Sequence, residues 1–281
     1  MTVAVVTDST SALPAGANGS ITVVPLSVVI NDQAGREGID VTPVGVAKAL
    51  ADRRTKITTS RPTPGEFAAA YRAAFEAGAT GIVSVHISAR LSGTIEAAHL
   101  AAAEVGGAIE VVDSGSTGMG LGFAAIEAQA AAALGQEIAA VRRAAELAAS
   151  ETDVYFYVDT LEHLRQGGRI GAASKLVGTA LAVKPILHVE DGTIVSCDRV
   201  RTTAKALDRL VDLAALAAKD SPVDVAVQHL DSPDRASLLV DAIRARLGDR
   251  IRDLHVTEIS ATIAAHVGPG VAGIVIHRRS A

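Results

Sequence analysis

The sequence has little cysteine, few aromatic residues and no excess of basic charge. Its 281 residues include one cysteine, Cys197, which excludes an internal disulfide and stands without metal-ligand spacing. Four Phe, three Tyr and no Trp offer few rings on which nucleotide bases could stack. The formal net charge of −5 also lacks the basic footprint of a nucleic-acid-binding protein. We therefore expect neither a disulfide scaffold nor a nucleic-acid partner.

Long apolar runs and familiar catalytic motifs are absent as well. No stretch reaches the roughly 20 apolar residues that a membrane span needs, and the first ten residues, MTVAVVTDST, carry no basic leader. The eight histidines show no HxH or HExxH spacing, and the sequence contains no P-loop. We expect a cytoplasmic protein with no cofactor, no metal site and no ATP chemistry of its own. A peripheral contact with a membrane surface stays open.

Short apolar runs alternate with longer helical patterns along the first half of the chain. The runs at 3–9, 81–88 and 108–115 have the composition of buried strands, and polar turn residues follow each of them. Strands separated by helices predict βαβ units around a mainly parallel sheet. Ligand-binding residues of such a sheet lie beyond the carboxyl ends of its strands. The pattern predicts an α/β fold with an N-terminal domain at residues 1–150.

The helices of this half carry start and stop signals. Thr42 and Thr63 each stand before a proline at a predicted helix start, and Glu66 completes a capping box with Thr63. Two alanine-rich helical stretches run from about 117 to 149, with a break at Gly135. These helices are expected to cover the sheet.

The pattern changes after Glu151. A helical segment is predicted at 172–184, and Asp191-Gly192 between two apolar runs predicts a tight hairpin. Two further helices and three further strands follow toward the C-terminus. Together they predict a second α/β domain, residues 151–281, with a mixed sheet. A cleft is expected where the two domains pack.

Ser92, Gly93 and Thr94 stand where the second predicted strand passes into a helix. If Ser92 caps that helix, its hydroxyl and the first backbone N–H groups point to one space, where the helix dipole favours an anion. Gly93 lets a ligand approach the backbone, and Thr94 adds another hydroxyl donor. The tripeptide therefore predicts an anion site, although a serine that only caps its own helix explains the same residues.

Two more loops combine polar side chains with turn residues. Thr58, Thr59 and Ser60 come shortly before a predicted helix, again at an expected sheet edge. His266 precedes Gly268-Pro269-Gly270, a rigid turn that fixes a histidine beside exposed backbone. Turn formation alone explains the first loop, and a satisfied polar side chain explains the second. A shared ligand site is the other interpretation.

Taken together, the motifs VTDSTSALP, TSRPTPGEF, SGTIEAA, DTLEHLRQGGRI and HVGPGVAGI resemble the successive signatures of DegV proteins, the family that includes FakB fatty-acid-binding subunits. The resemblance covers essentially the whole chain. It implies a two-domain DegV-like α/β fold, with an N-terminal three-layer domain on a parallel sheet and a C-terminal domain on a mixed sheet. It also implies a lipid-binding carrier that holds one long-chain fatty acid in a tunnel between the domains.

The resemblance carries residue roles as well. It assigns the carboxylate contacts to Thr59 and Ser92, and it places His266 beside the head group. Two positions depart from the common family pattern: Arg61 stands in TSRP, and Ile95 follows Ser-Gly-Thr. Neither change removes a hydroxyl, but both leave acyl-chain selectivity and the partner surface open.

The resemblance further implies a partner. FakB-type proteins present the fatty acid to a separate ATP-dependent fatty-acid kinase, FakA, which makes an acyl phosphate for phospholipid synthesis. In this scheme His266 and Arg201 assist phosphotransfer, and Arg169 and Arg201 contact the phosphate or the partner. Solvent-facing charge, or pairing with an acid such as Asp198, is the alternative for both arginines.

Two other functions stay open at this point. A hydrolase could use Ser92, His266 and either Asp8 or Asp113 as a triad, although the sequence has no GxSxG elbow. Dihydroxyacetone kinases, whose fold is related to DegV, bind a sugar ketone covalently through a histidine. A ketone binder of that kind is the third interpretation, and the fatty-acid carrier is the preferred one.

Overall fold

The computed structural model describes residues 2–16, 19–52, 54–176 and 183–279. Within these residues, no helix combines the length and the apolar character that a bilayer crossing requires. The elements of the first half follow in this order: β1 (Val3–Asp8), β2 (Thr22–Val24), β3 (Ser27–Ile30), β4 (Gln33–Arg36), α1 (Pro43–Ala51), β5 (Ile57–Ser60), α2 (Pro64–Glu76), β6 (Gly81–His86), α3 (Thr94–Val105), β7 (Ile109–Asp113), α4 (Met119–Ala133) and α5 (Ile138–Ser150).

The second half contains fewer long helices than the first. A short 3-10 helix at Gly171–Leu176 lies between its first helix and its second strand. The remaining elements are β8 (Thr152–Tyr157), α6 (Glu162–Gln166), β9 (Lys184–Glu190), β10 (Thr193–Val200), α7 (Thr203–Ala218), β11 (Val223–His229), α8 (Pro233–Leu247), β12 (Ile251–Glu258), α9 (Ala261–Val267) and β13 (Ala272–Arg278).

The first sheet is parallel and is covered on both faces. Its strand order is β2-β1-β6-β7, and every neighbouring pair runs parallel. Buried residues of α2 and α3, such as Tyr71 and Ala98, pack on one face with Val6. Leu121 of α4 and Val141 of α5 pack on the other. The three layers follow because β6 passes into α3 and β7 into α4, and these helices cover opposite faces of the sheet.

The second sheet is mixed, with the order β10-β9-β8-β13-β11-β12. Only the β11/β12 pair is parallel among the described strands. Helices α7 and α8 cover one face. The other face receives Met119 and Phe123 of α4, which pack against Val154 and Val275. Helix α4 therefore lies between the two sheets and is apolar on both sides.

A small antiparallel sheet, β4-β3-β5, comes early in the sequence but packs against the second half. Val28 of β3 and Val46 of α1 share one hydrophobic core with Leu187 of β9 and Ala264 of α9. The two halves therefore share core residues here. The domain boundary near residue 150 stays a prediction.

Most local predictions are confirmed. Thr63 caps α2 in a capping box with Glu66, and α4 and α5 are separate helices on either side of Gly135. The hairpin between β9 and β10 turns at Asp191 and Gly192, both with positive φ. The helix predicted at 172–184 is wrong where it can be compared: residues 171–176 form a 3-10 helix, and residues 177–182 lie outside the described residues.

Candidate functional site

A largely apolar cavity lies between residues of both halves of the chain. Its volume is about 110 Å³, counting the space that the centre of a water molecule can reach. The wall combines residues of the first half with residues from 154 onward; those of the first half are Leu26, Thr59, Ser60, Arg61, Ile87, Leu91, Ser92, Thr117 and Gly118. Apolar side chains from β8, α6, β10, α9 and the start of β13 form much of that wall; Val154, Leu164, Ile194, Ile263, Val267 and Val275 are among them.

Thr59 and His266 meet at this cavity. Thr59 Oγ1 lies 2.8 Å from His266 Nε2, although the two residues are 207 positions apart in the sequence. Strand β5 presents Thr59, and the last turn of α9 presents His266. Both residues line the cavity. Their hydrogen bond therefore joins the small sheet to the second half at the ligand-facing surface.

The ring of His266 sits in a dry environment. Burial, with a smaller contribution from the nearby charge of Arg169, lowers the pKa of His266 to about 4. Among the described residues its Nδ1 has no hydrogen-bond partner, and this atom lies against Gly167, where a Cβ would overlap it. His266 is therefore a neutral imidazole at pH 7, with Nε2 as its one bonded nitrogen.

Ser92 also lines the cavity, but it does not cap α3. The helix begins at Thr94, its N-cap is Gly93, and no side chain caps it. The backbone N–H groups of Leu91 and Ser92 both donate to the Ser88 carbonyl, which holds Ser92 in the preceding turn. The Ser92 hydroxyl instead lies 2.8 Å from the Thr94 hydroxyl. Ser92 therefore does not cap α3, and its place in a ligand site stays a prediction, although Ser92 lines the cavity.

Gly93 and Thr94 do not contact the cavity directly. The space that a Cβ of Gly93 would fill holds the guanidinium of Arg61, so it is not left for a ligand. Arg61 donates to the Gly93 carbonyl at 2.9 Å and to Glu96 at 2.6 Å. Thr94 is buried beneath Ser92. Both residues shape the site from behind, which differs from the direct contacts we predicted.

The two candidate arginines lie in different parts of the structure. Arg169 lines the cavity and donates to the carbonyls of Leu91 and Gly167 at 3.1 and 2.6 Å. Arg201 is exposed, follows the end of β10, and is not among the described residues that line the cavity. The structure supports Arg169 as a site residue and places Arg201 elsewhere.

These features can be compared with known proteins. A sequence model described as "Uncharacterised protein, DegV family" matches residues 2–279. The chain belongs to the DegV family. It is 51% identical over 279 residues to a DegV domain-containing protein of Streptomyces coelicolor, and the match covers 99% of both chains.

Solved DegV structures confirm the predicted fold. A DegV family protein of Thermus thermophilus, described as binding fatty acid, has a TM-score of 0.93 at 33% identity and covers 99% of this chain and 100% of its own. DegV of Bacillus subtilis, described as a fatty acid binding protein, has a TM-score of 0.89 at 30% identity with the same coverage.

The residues suggested for a hydrolase triad do not assemble in this DegV chain. His266 contacts Thr59, and Ser92 contacts Thr94. Asp8 instead accepts from His86 Nδ1 at 3.0 Å, and His86 Nε2 lies 2.7 Å from Ser84. Asp113 accepts from the backbone N–H groups of Ala89 and Gly115.

A second, wider hollow of the DegV fold shares only Ile259 with the first cavity among their described lining residues. Its volume is about 610 Å³ by the same measure, and Ser9, Glu37 and Ser260 are among its polar lining residues. Glu37 accepts from the hydroxyls of Ser9 and Thr262 at 2.7 and 2.8 Å, and burial raises its pKa. The first cavity is the stronger candidate because it brings together the predicted loops and offers an apolar interior.

Sequence reasoning missed another polar group of the first cavity, the one that Thr59 and Ser92 line. Gln228 of β11 lines it beside Thr117 and Gly118, and the Gln228 amide bonds to Met119 N and Thr257 Oγ1. Thr117 Oγ1 is buried and unpartnered among the described residues. A lone glutamine inside an apolar strand is the one signal that could have indicated it.

Proposed function

We propose that this protein binds one long-chain fatty acid in the apolar cavity, with the carboxylate at Thr59 and Ser92. The observation that carries the proposal is that both hydroxyls line one apolar cavity and each has a polar partner, His266 or Thr94. The fatty-acid binding described for the Thermus thermophilus and Bacillus subtilis proteins supports the same ligand.

A carboxylate can only accept hydrogen bonds, and this fixes the direction of the bonds around it. Thr59 can donate to the ligand only if its oxygen accepts from His266, so Nε2 of His266 carries the proton. Ser92 can donate only if Thr94 donates to it. His266 and Thr94 therefore act behind the two hydroxyls and turn their hydrogens toward the ligand.

The hydrocarbon tail accounts for the rest of the binding free energy. Burial contributes about 0.8 kcal/mol for each CH₂ group, and the wall offers aliphatic side chains from at least five elements. Arg169 lies at the same cavity and adds positive charge beside the head group. Arg61 is committed to Glu96, so we assign it no part in holding the carboxylate.

We further propose that the protein acts as a carrier and presents the carboxylate to an ATP-dependent fatty-acid kinase for acyl-phosphate formation in phospholipid synthesis. Three points support this role. The sequence has no P-loop, the resemblance to FakB proteins implies such a partner, and His266 and Arg169 lie beside the proposed head group. Arg201, which is exposed, would meet the partner rather than the ligand.

The binding proposal is tested by mass spectrometry of the purified protein after denaturation, which should release C14 to C18 fatty acids. Ser92→Ala and Thr59→Val should each weaken fatty-acid binding by about 1 kcal/mol or more, because each removes a hydrogen bond to a charged group. Thr58→Val is the matched control, since Thr58 is the exposed neighbour on β5. Equal affinity in all four proteins would contradict the proposed head-group site.

The carrier role needs a separate measurement. His266→Ala should lower acyl-phosphate formation by an added fatty-acid kinase more than it lowers lipid retention. Unchanged turnover in His266→Ala would remove the role of this histidine in phosphotransfer while leaving lipid binding in place.

A further inference from the structure

A second cluster of ligating side chains lies between α4 and the mixed sheet, away from the fatty-acid cavity. Glu127 comes from α4, Asp224 from β11 and His277 from β13, and Asp224 and His277 are directly paired across the two strands. One oxygen or nitrogen of each residue lies within 4.8 Å of those of the other two. The three positions are far apart in the sequence, which explains why spacing rules predicted no metal site.

The tautomer of His277 follows from its neighbour. Thr152 Oγ1 donates its single hydrogen to the Ala148 carbonyl at 2.6 Å. It can therefore only accept from His277 Nδ1, which lies 3.0 Å away. Nε2 consequently carries a lone pair. The hydrogen bond on Nδ1 fixes the ring in the way that buried neighbours orient metal-binding histidines.

That lone pair faces a carboxylate. His277 Nε2 lies 3.9 Å from Glu127 Oε1, beyond hydrogen-bonding distance, and His277 is only 3% exposed. Two groups that both accept hydrogen bonds thus face each other, His277 buried and Glu127 about 30% exposed. Burial raises the pKa of Glu127, with the nearby charge of Arg279 opposing this and that of Asp224 adding to it. A cation placed between the two groups would be held by both of them.

Asp224 is the third potential ligand of the cluster. Its Oδ2 accepts from Arg279 Nε at 2.6 Å, and its Oδ1 accepts from the backbone of Asp253 at 3.2 Å. Each carboxylate oxygen keeps a second lone pair. Arg279 neutralises one of the two carboxylates of the cluster, and the charge of Glu127 remains.

We propose that Glu127 and His277, assisted by Asp224, bind a divalent transition-metal ion of the zinc class. One imidazole nitrogen with carboxylate oxygens is a donor set that zinc accepts, whereas magnesium and calcium prefer oxygen alone. The ion joins α4, which belongs to the N-terminal half, to two strands of the C-terminal half. It stabilises the folded chain because the unfolded chain does not hold the three ligands together.

The experiment titrates the metal-free full-length protein with Zn²⁺ alone, by isothermal calorimetry. The wild-type protein should bind one Zn²⁺, and Glu127→Gln and His277→Gln should each lose at least tenfold in affinity. His99→Gln is the matched control, because His99 is an exposed histidine on α3. Absence of binding to the wild type, or equal binding in all four proteins, would overturn the proposal.

A second measurement compares each protein with and without Zn²⁺, so a difference in stability between the variants does not affect the result. Zn²⁺ should raise the thermal midpoint of the wild type and leave that of Glu127→Gln unchanged. Glu127 is about 30% exposed, so the glutamine is easily accommodated there. An equal rise in both proteins would place the ion elsewhere and overturn the site. Equal lipid content in both proteins distinguishes loss of the metal from loss of the fatty-acid cavity.

Discussion

Two histidines of this molecule each contact a hydroxyl, and their surroundings give them different roles. His86 is completely buried in a chain in which Tyr71 donates to Ser84, Ser84 to His86, and His86 to Asp8. Every link of that chain is a hydrogen bond within the first sheet and α2. His266 contacts Thr59 at the wall of an open cavity, has no acidic partner among the described residues, and leaves Nδ1 unpaired.

The comparison separates a structural network from a proposed binding site that uses the same residue types. Ser84, His86 and Asp8 contact one another in the order of a catalytic triad. No described cavity reaches them, however, and Tyr71 already donates a hydrogen bond to the serine hydroxyl. A fully satisfied buried network specifies one arrangement of the core. At Thr59 and Ser92 the bond directions proposed above leave both hydroxyl hydrogens free for a ligand. Unused hydrogen-bonding capacity at a cavity wall therefore marks the site better than the residue types do.

The largest expected effect is on stability, from Asp8→Ala. The Asp8 carboxylate accepts from Thr10 N and Oγ1, from His86 Nδ1 and from Ile87 N. Removing it leaves these buried donors unpaired, and we expect the free energy of unfolding to fall by about 3–5 kcal/mol. Urea unfolding measures this loss.

The control for Asp8 is Asp113, which also follows a strand and accepts backbone N–H groups but is exposed. Asp113→Ala should cost less than about 1 kcal/mol, because water replaces its hydrogen bonds. If both variants lose the same stability, the buried network is not the special feature of the first sheet.

The second prediction concerns pH and tests the other histidine. The pKa of His266 in the folded protein is about 4, below its ordinary value of 6.5. The unfolded chain binds the proton more tightly, so stability from neutral His266 is complete above about pH 6.5 and is lost as pH falls to 4. The loss is on the order of 3 kcal/mol.

Urea unfolding of wild type and His266→Gln between pH 7.5 and 4 isolates this effect, because other histidines titrate in both proteins. The wild type should lose stability more steeply as the pH falls. Parallel curves would show that His266 is not held neutral by burial.

The third prediction uses a glycine that touches His266. Gly167 has ordinary helical angles, but a Cβ there would overlap His266 Nδ1. Gly167→Ala should displace the ring, break its bond to Thr59 and weaken fatty-acid binding about tenfold, or about 1.4 kcal/mol. Fluorescent fatty-acid displacement measures the change. Gly168→Ala is the control: its φ of +70 makes alanine strained, but its Cβ would meet no atom within 4 Å, so affinity should be retained.

The smallest expected effect comes from Thr94→Val. Valine keeps the shape and removes the hydroxyl that directs Ser92, so affinity should fall about fivefold, in line with about 1 kcal/mol for one hydrogen bond. The same displacement assay applies. If Thr94→Val binds as tightly as the wild type while Ser92→Ala does not, then Ser92 is oriented by something other than Thr94.

The sequence predicts those parts of this structure that depend on neighbouring residues. The capping box of Thr63 and Glu66 is a local pattern, and so is the hairpin at Asp191 and Gly192, since backbone conformation within a few residues decides each. The convergence of the three polar segments was implied by the resemblance to DegV proteins. The rule that parallel strands end at one edge covers Ser92 only, because Thr59 lies on β5 of the small antiparallel sheet.

Partners that are distant in the sequence could not be predicted. The contact of Thr59 with His266 depends on how the small sheet packs against α9, and that packing is a property of the whole core. The ion pair of Arg61 with Glu96 had no signal in the sequence. The sequence around Arg201 likewise had no signal that separates an arginine at a cavity from an exposed one. The N-cap of α3 was predicted one residue too early, at Ser92, because the turn at Ser88 extends further than the motif suggests.

Helix α4, which contacts both large sheets, has a consequence for how the molecule unfolds. A helix that is apolar on both sides is not stable when either sheet is removed, because the face that packed against the missing sheet would then be exposed to water. The two halves should therefore melt in one cooperative transition, and cutting the chain after Glu151 should release two insoluble fragments rather than two stable domains.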